Sequence, residues 1–563
     1  MKVIIVGGVA GGASAAARLR RLDEHAEIIV FERTGYISYA NCGLPYYIGG
    51  VIDDPEELTL QTPESFFERF RVDMRVRHEV TAVNASAKTL SVKNLETGEE
   101  FEESYDKLIL SPGARSTMPP LSGIDNERVF SLRTVEDTFR IKDFVDSACP
   151  RSAVVVGGGF IGMEMAENLR ELGMEVSIVE LLPQLMSPFD RDMVSFIHAE
   201  ARAQGIKLHL KSGVAGFVPR ESGLEVLMKD APSLFADMVI MAVGVTPDTS
   251  LAKSAGLELG MRGSIVVNER METSDKNIYA VGDAVMVRHA VSGSNVLLSL
   301  AGPANKQGRI AADNICGGDS RYTGSMGSSV LKFFSLTAAC TGLSEAAARA
   351  AGFDTDKVIL SPMSHAGYYP GGKVMTVKLV FEKGSFRILG AQIVGYEGVD
   401  KRIDVIATAI QAGLTAPQLR DLDLAYAPPY SSAKDPVNMA GFMAENLSTG
   451  VLKQWFVEDY PALPRDGSVV LLDTRTPAEY ANGHADGFMN IPVDELRERI
   501  GEVPTGKKVY VMCQSGIRSY IACRILAGYG MEAYNFSGGY RFFSAVTGDI
   551  RLTEEAMPCG ADK

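Results

Sequence analysis

Short apolar runs of four or five residues punctuate the chain, each closed by glycine or an acid and most followed by a helical stretch. Residues 3–6, Val-Ile-Ile-Val, read as a buried strand running into Gly7-Gly8-Val9-Ala10-Gly11-Gly12. An alanine-rich helix over 13–22 and a strand over 27–31, closed by Glu32, come next. The order returns as a strand over 153–156, then Gly157-Gly158-Gly159-Phe160-Ile161-Gly162, a helix to Leu172, and a strand over 175–179 closed by Glu180. Continuous apolar strands alternating with helices predict parallel sheets covered on both faces. Similar runs precede Ser111-Pro112-Gly113-Ala114 and Gly282-Asp283. The pattern stops after Asn446; residues 447–465, with Pro461 and Pro464, read as a connection, and strands resume over 469–472 and 509–512.

Strand, glycine turn, helix, strand and terminal acid make a dinucleotide-binding unit. The glycines let the backbone approach a pyrophosphate at the positive end of the helix, and the acid receives a ribose hydroxyl. Val9 replaces the usual middle glycine of the first unit, whereas the second is complete. An acid at Glu180 favours the free 2′-hydroxyl of NADH over the extra phosphate of NADPH. Two units predict two dinucleotides, one held and one exchanged.

The 563 residues are too many for one core. With 46% hydrophobic residues, 22% charged and 56 glycines, the composition is that of a globular enzyme. A net charge of −14 argues against nucleic acid or anionic membrane as partners. No apolar run approaches the ~18 residues of a membrane span, and the N-terminus lacks the apolar stretch of a secretory signal, so a cytoplasmic location is expected. Seven scattered cysteines, odd in number and without a CxxC pair, imply neither a disulfide framework nor a metal site.

Cysteines are therefore judged for reactivity. Cys42 stands in Ser38-Tyr39-Ala40-Asn41-Cys42-Gly43-Leu44-Pro45-Tyr46-Tyr47, where opening a helix is expected to lower its pKa. Cys513 follows a strand in Cys513-Gln514-Ser515-Gly516-Ile517-Arg518-Ser519. Backbone N–H groups and the charge of Arg518 would suit a thiolate or persulfide there. Cys149, Cys316, Cys340 and Cys523 are expected to be packing residues, and Cys559, in a polar tail, incidental.

Gly7–Gly12, Gly157–Gly162, Gly244-Val245-Thr246-Pro247 and Gly282-Asp283 resemble the pyridine nucleotide–disulfide oxidoreductase superfamily over roughly residues 1–445. The resemblance implies FAD in the first unit, contacted by Gly7, Gly8, Ala10, Gly11, Gly12, Glu32, Arg33, Ser111, Gly113, Asp283 and Ala301. It implies NADH in the second, contacted by Gly157, Gly159, Phe160, Ile161, Gly162, Glu180 and Gly244. Most members carry C-x4-C beside the flavin, but Tyr47 stands where the second sulfur would be. A lone cysteine must form a mixed disulfide, a persulfide or a sulfenic acid.

That branch resembles coenzyme A–disulfide reductases, and also NADH oxidases and peroxidases. The coenzyme A reading implies phosphate contacts from Arg18 and Arg21, Ser38 and Asn41 along the path to Cys42, and a homodimer. In that dimer Tyr368 and Tyr426 would reach the other subunit's Cys42. Asp473-Thr474-Arg475, Gly483-His484-Ala485-Asp486-Gly487 and Cys513 to Arg518 resemble a rhodanese domain over about residues 455–555.

The expected fold class is α/β: two Rossmann-like dinucleotide-binding domains, an α+β dimerisation domain and a C-terminal α/β rhodanese domain. The expected ranges are 1–113 with 250–322 for FAD, 114–249 for NADH, 323–446 for dimerisation, 447–465 as linker and 466–555 for rhodanese. The expected activity is NADH-dependent reduction of coenzyme A persulfide or polysulfide through Cys42, with Cys513 handling sulfane sulfur. The alternatives are a coenzyme A–disulfide reductase, an NADH oxidase or peroxidase, and a non-enzymatic flavin redox sensor or sulfur carrier.

Overall fold

The computed structural model describes residues 1–548, so Cys559 and the last residues of the expected rhodanese range lie outside the described residues. The chain divides into two compact units, Met1–Leu185 with Gly205–Gly327, and Met186–Gln204 with the chain from Ser328 onward.

The first unit holds the two expected parallel sheets. Strands β1 (Lys2–Val6), β2 (Glu27–Phe31), β3 (Asp73–Arg75) and β4 (Lys107–Leu110) join a later strand, Ile278–Ala280, with β1 between β4 and β2. Helix α1 (Ala10–Leu22) leaves β1 through the glycine turn. A 3-10 turn at Asn41–Gly43 leads into the short helix α2 (Leu44–Ile48), and α3 (Val135–Ala148) lies beyond. The second sheet contains β5 (Val129–Ser131), β6 (Ser152–Val156), β7 (Glu175–Glu180), β8 (Lys207–Leu210) and β9 (Met238–Met241), with α4 (Phe160–Glu171) after β6. Val3, Ile4, Ile5, Val154 and Val155 are sealed from water, as their unbroken apolar runs require.

Helix α5 (Arg191–Ala203) lies in the range read from sequence as NADH-binding, yet it folds with the second unit. Buried Lys378, 1% exposed, draws it in: its ammonium meets Asp190 at 3.0 Å, Asp192 at 2.8 Å and Glu345 at 2.9 Å. Lys378 lies in a five-stranded antiparallel sheet covered by α7 (Val399–Gln411) and α8 (Pro436–Ser448), after α6 (Ala301–Ile315) of the first unit.

The C-terminal parallel sheet is built on Val470–Asp473 and Val509–Met512. The stretch read as a linker is in part structural. Gln454–Trp455 pairs with Ala533–Phe536 as an edge strand, and buried Trp455 packs on Phe536 at 4.4 Å between ring centres. Two residues are too few to show strand periodicity. This sheet is bonded to the antiparallel one: the Ile359 N–H donates to Ser537 Oγ at 2.9 Å, and Gln454 Nε2 donates to the Lys357 carbonyl at 2.7 Å.

Candidate active site

The glycine turns have the same geometry in both nucleotide units. Gly7 and Gly157 have φ of +98° and +108°, and a Cβ on Gly12 or Gly162 would lie 1.8 or 2.0 Å from the carbonyl oxygen of Gly7 or Gly157. Val9 has φ −104° and Gly159 −82°, so the backbone itself does not demand glycine at the middle position, which accounts for Val9. Each terminal acid is held by its own turn. Glu32 accepts from the Gly8 N–H at 2.8 Å and the Thr34 N–H at 2.9 Å; Glu180 accepts from the Gly158 N–H at 2.7 Å and the Leu182 N–H at 2.8 Å. On the expectation that Glu180 receives the ribose hydroxyl, replacing it with alanine removes the carboxylate that would repel a 2′-phosphate. The NADPH-to-NADH ratio of kcat/KM is expected to rise roughly tenfold, the factor that about 1.4 kcal/mol supplies.

The other expected FAD positions gather around the first turn. The Ser111 carbonyl lies against Gly7, Gly113 has φ +69°, and Ala301 opens α6 at an exposed end. Asp283 accepts from Arg133 Nη2, and Arg33 pairs with Asp248 at 2.9 Å. Gly244 takes φ +100° beside the second sheet.

Cys42 is accessible and lies in the 3-10 turn just ahead of α2, which is only five residues long. The expected lowering of its pKa is corrected. Burial pushes the thiol up, Glu164 and Asp283 add to the rise, and only Arg133 opposes it. Tyr47, in place of a second sulfur, meets Phe139 edge-on at 5.7 Å. Ser38 is held at φ +45°, a strained setting for a non-glycine residue, with its N–H on the Gly8 carbonyl at 2.9 Å. Asn41 Oδ1 is buried without a hydrogen-bond partner. Arg18 pairs with Asp313 at 2.6 Å, so part of its charge is already met, while Arg21 is exposed.

Tyr368 and Tyr426 come together from segments 58 residues apart, their hydroxyl oxygens 2.6 Å from each other and both side chains exposed. That bond raises the Tyr368 pKa. What positions their loops was invisible in the sequence. Arg402, 1% exposed, donates to Asp435 Oδ2 at 3.0 Å, to the Ser364 carbonyl at 2.8 Å and to the Tyr430 carbonyl at 3.3 Å. Its carboxylate partner lies 33 residues away, beyond any local pattern.

Cys513 ends its strand fully buried. Its sulfur accepts from the Gly516 N–H at 3.1 Å and from Ser519 Oγ at 3.2 Å, the backbone donation expected of this loop. Arg518, the charge expected beside this loop, is also bound to a carboxylate. Both of its terminal nitrogens bind Glu479 at 2.7 Å, which holds that carboxyl below its usual range against the opposing effect of burial. Arg475 pairs with Asp473 at 2.7 Å and stacks over Tyr540 at 3.8 Å; the Tyr540 N–H donates to the Cys513 carbonyl at 2.7 Å, fixing the loop from below. Cys340 and Cys523 are buried as expected. Cys149 and Cys316 are exposed instead, because both sit at helix C-termini.

The pyridine nucleotide-disulphide oxidoreductase model matches residues 1–308, more than half the chain, and its dimerisation domain matches 328–436. The chain belongs to this family. A rhodanese-like domain matches residues 457–545. Reduced Bacillus anthracis CoADR-RHD is similar at 48% identity and a TM-score of 0.95, over 98% of this chain and 99% of that one. An NAD-dependent persulfide reductase from A. fulgidus is similar at 38% identity and a TM-score of 0.90, over 96% and 100%. A coenzyme A disulfide reductase of Staphylococcus aureus is 36% identical over 445 residues, 79% of this chain and all of that one. As a member of the pyridine nucleotide-disulphide oxidoreductase family, the chain is a flavin-dependent enzyme using FAD and NAD(H). Its residues fit both groups: Gly12 and Gly162 keep the turns tight, and Glu32 and Glu180 stand at the strand ends.

Proposed function

We propose that the protein uses NADH to reduce the sulfur–sulfur bond of a coenzyme A persulfide or polysulfide through Cys42, releasing hydrogen sulfide and thiol, as a cytoplasmic homodimer. The observation that carries this reading is a lone accessible Cys42 in a chain that also retains Cys513, cradled by Gly516 and Ser519. The Cys42 thiolate attacks the substrate's sulfur–sulfur bond, forming a new bond at Cys42 and releasing the other sulfur as its leaving group. FAD supplies the two-electron relay between NADH and that bond. Ser38 and Asn41 line the approach, Arg18 and Arg21 face the phosphates of coenzyme A, and the Tyr368–Tyr426 pair of a second copy donates to the thiolate released when the sulfur–sulfur bond at Cys42 is reduced.

Similarity to the persulfide reductase favours persulfide over a plain disulfide as substrate; similarity to the S. aureus relative supports coenzyme A disulfide as the second reading. Turnover of coenzyme A persulfide, with sulfide measured directly, is expected to exceed that of coenzyme A disulfide. The reverse order establishes the second reading.

Cys513 is proposed to receive sulfane sulfur and pass it on. Replacing it with serine is expected to slow polysulfide turnover about tenfold, a loss worth about 1.4 kcal/mol. Unchanged turnover would remove the relay from the mechanism.

A further inference from the structure

Helix α4, which opens the second nucleotide unit, turns one face toward the segment that carries Cys42. Asn168 lies on that face, where a Cβ on Gly49 at the end of α2 would come within 2.0 Å of its side-chain oxygen. Glu164 is one turn earlier on the same stripe, its carbonyl accepting from Asn168 Nδ2 at 2.8 Å. Glu164 thus shares the α4 stripe that packs on the α2 segment, and its charge acts on both Cys42 and Tyr46 there. Glu167, 3% exposed, adds a second acid on the same helix. Among the described residues no cation pairs with Glu164. The positive charge that acts on Cys42, Arg133, is bound to Asp283.

We propose that Glu164 is the proton partner of Cys42, taking up a proton when the thiolate appears and giving it to the leaving thiolate in the next attack. This rests on the reading of Cys42 as the nucleophile. Two electrons entering a Cys42–S–S–R bond break it into Cys42–S⁻ and R–S⁻. R–S⁻ takes one proton and departs as R–SH; Glu164 takes the other and offsets the new charge beside it. When Cys42–S⁻ attacks R–S–S–R′, a Cys42–S–S–R bond forms and the charge passes to R′–S⁻. Glu164 loses the neighbouring anion that held its proton and donates that proton to R′–S⁻. One proton from NADH and one from solvent balance each cycle.

The carboxyl is suited to this exchange, being pushed up to about 7 by burial first and then by Glu167. The groups facing it are Cys42 and Tyr46 from the α2 segment and Glu167 from its own helix, with Arg133 and Asp283 acting on the same sulfur.

The test compares NADH-reduced with oxidised holoenzyme by infrared difference spectroscopy, alongside alkylation of Cys42 by iodoacetamide across the neutral pH range, read by mass spectrometry. Reduction is expected to produce the carbonyl stretch of a protonated carboxylic acid, absent in Glu164→Gln and shifted in Glu164→Asp. Glu164→Gln is also expected to raise the Cys42 alkylation rate just above neutrality about threefold, since the neighbouring negative charge present there is gone. Absence of the band from wild-type enzyme overturns the proposal even if the glutamine variant does not fold. So does an alkylation profile that the substitution leaves unchanged. Full turnover by Cys42→Ser would instead overturn the underlying assignment of Cys42.

Discussion

Replacing Cys42 with serine is expected to lower NADH-driven sulfur reduction on the order of a thousandfold or more, the scale of removing a covalent nucleophile. The serine hydroxyl keeps the size of the side chain but does not ionise near neutrality, and it forms no bond to sulfur that two electrons can reopen. No cysteine stands at position 47 to take over, since Tyr47 occupies it against Phe139. The substitution touches none of the bonds that shape the FAD turn, so the variant should keep its flavin absorbance. Steady-state NADH oxidation with persulfide, read beside that spectrum, is the measurement. Substantial turnover by a flavin-replete variant would remove Cys42 from the mechanism.

The second large effect concerns stability. Lys378→Met removes the cation that Asp190, Asp192 and Glu345 share, leaving the two aspartates facing Glu345, which keeps Lys357 and Arg349. Breaking a buried ion pair from one side costs about 3–5 kcal/mol, so a clear fall in the urea midpoint is expected. The pH dependence carries a definite sign. In the wild-type protein burial pushes Asp190 and Glu345 up, but Lys378, joined at Glu345 by Lys357, and hydrogen bonds outweigh it and hold both below their ordinary 3.8 and 4.5. Their contribution is present above those values and is lost as pH falls through the lowered folded ones. Asp192 is the exception: burial outweighs Lys378 and raises it, so its ionisation works against the fold as pH rises. Without the cation all three shift upward, and protonation relieves their repulsion. The deficit of the variant should therefore shrink as the solution is acidified from neutrality. A deficit that stays constant or grows would show that the ion cluster is not what ties α5 to its sheet.

Much of the site was legible along the chain because its signals are local. A strand, a glycine turn that tolerates no Cβ at Gly12, and an acid twenty residues on specify a nucleotide unit whatever surrounds it. The same holds for a cysteine between a strand and a helix, which is why the Cys513 loop receives the backbone donation expected of it.

The features that local patterns leave out share one cause, which is distance along the chain. Cys42 looked like a helix-opening thiol, but its ionisation is governed by burial and by Glu164, Arg133 and Asp283, residues 91 to 241 positions away. Arg518 also binds Glu479, 39 residues back, a partner no local motif announces. Asp190 and Asp192 sit in a nucleotide-binding stretch, yet Lys378, some 186 residues on, gathers their helix into the other unit. Backbone conformation and residue type are written within a few turns of chain, so motif identity could be read directly. Charge balance, burial and the assignment of a helix to its unit depend on which distant side chains arrive together, and those the folded chain alone supplies.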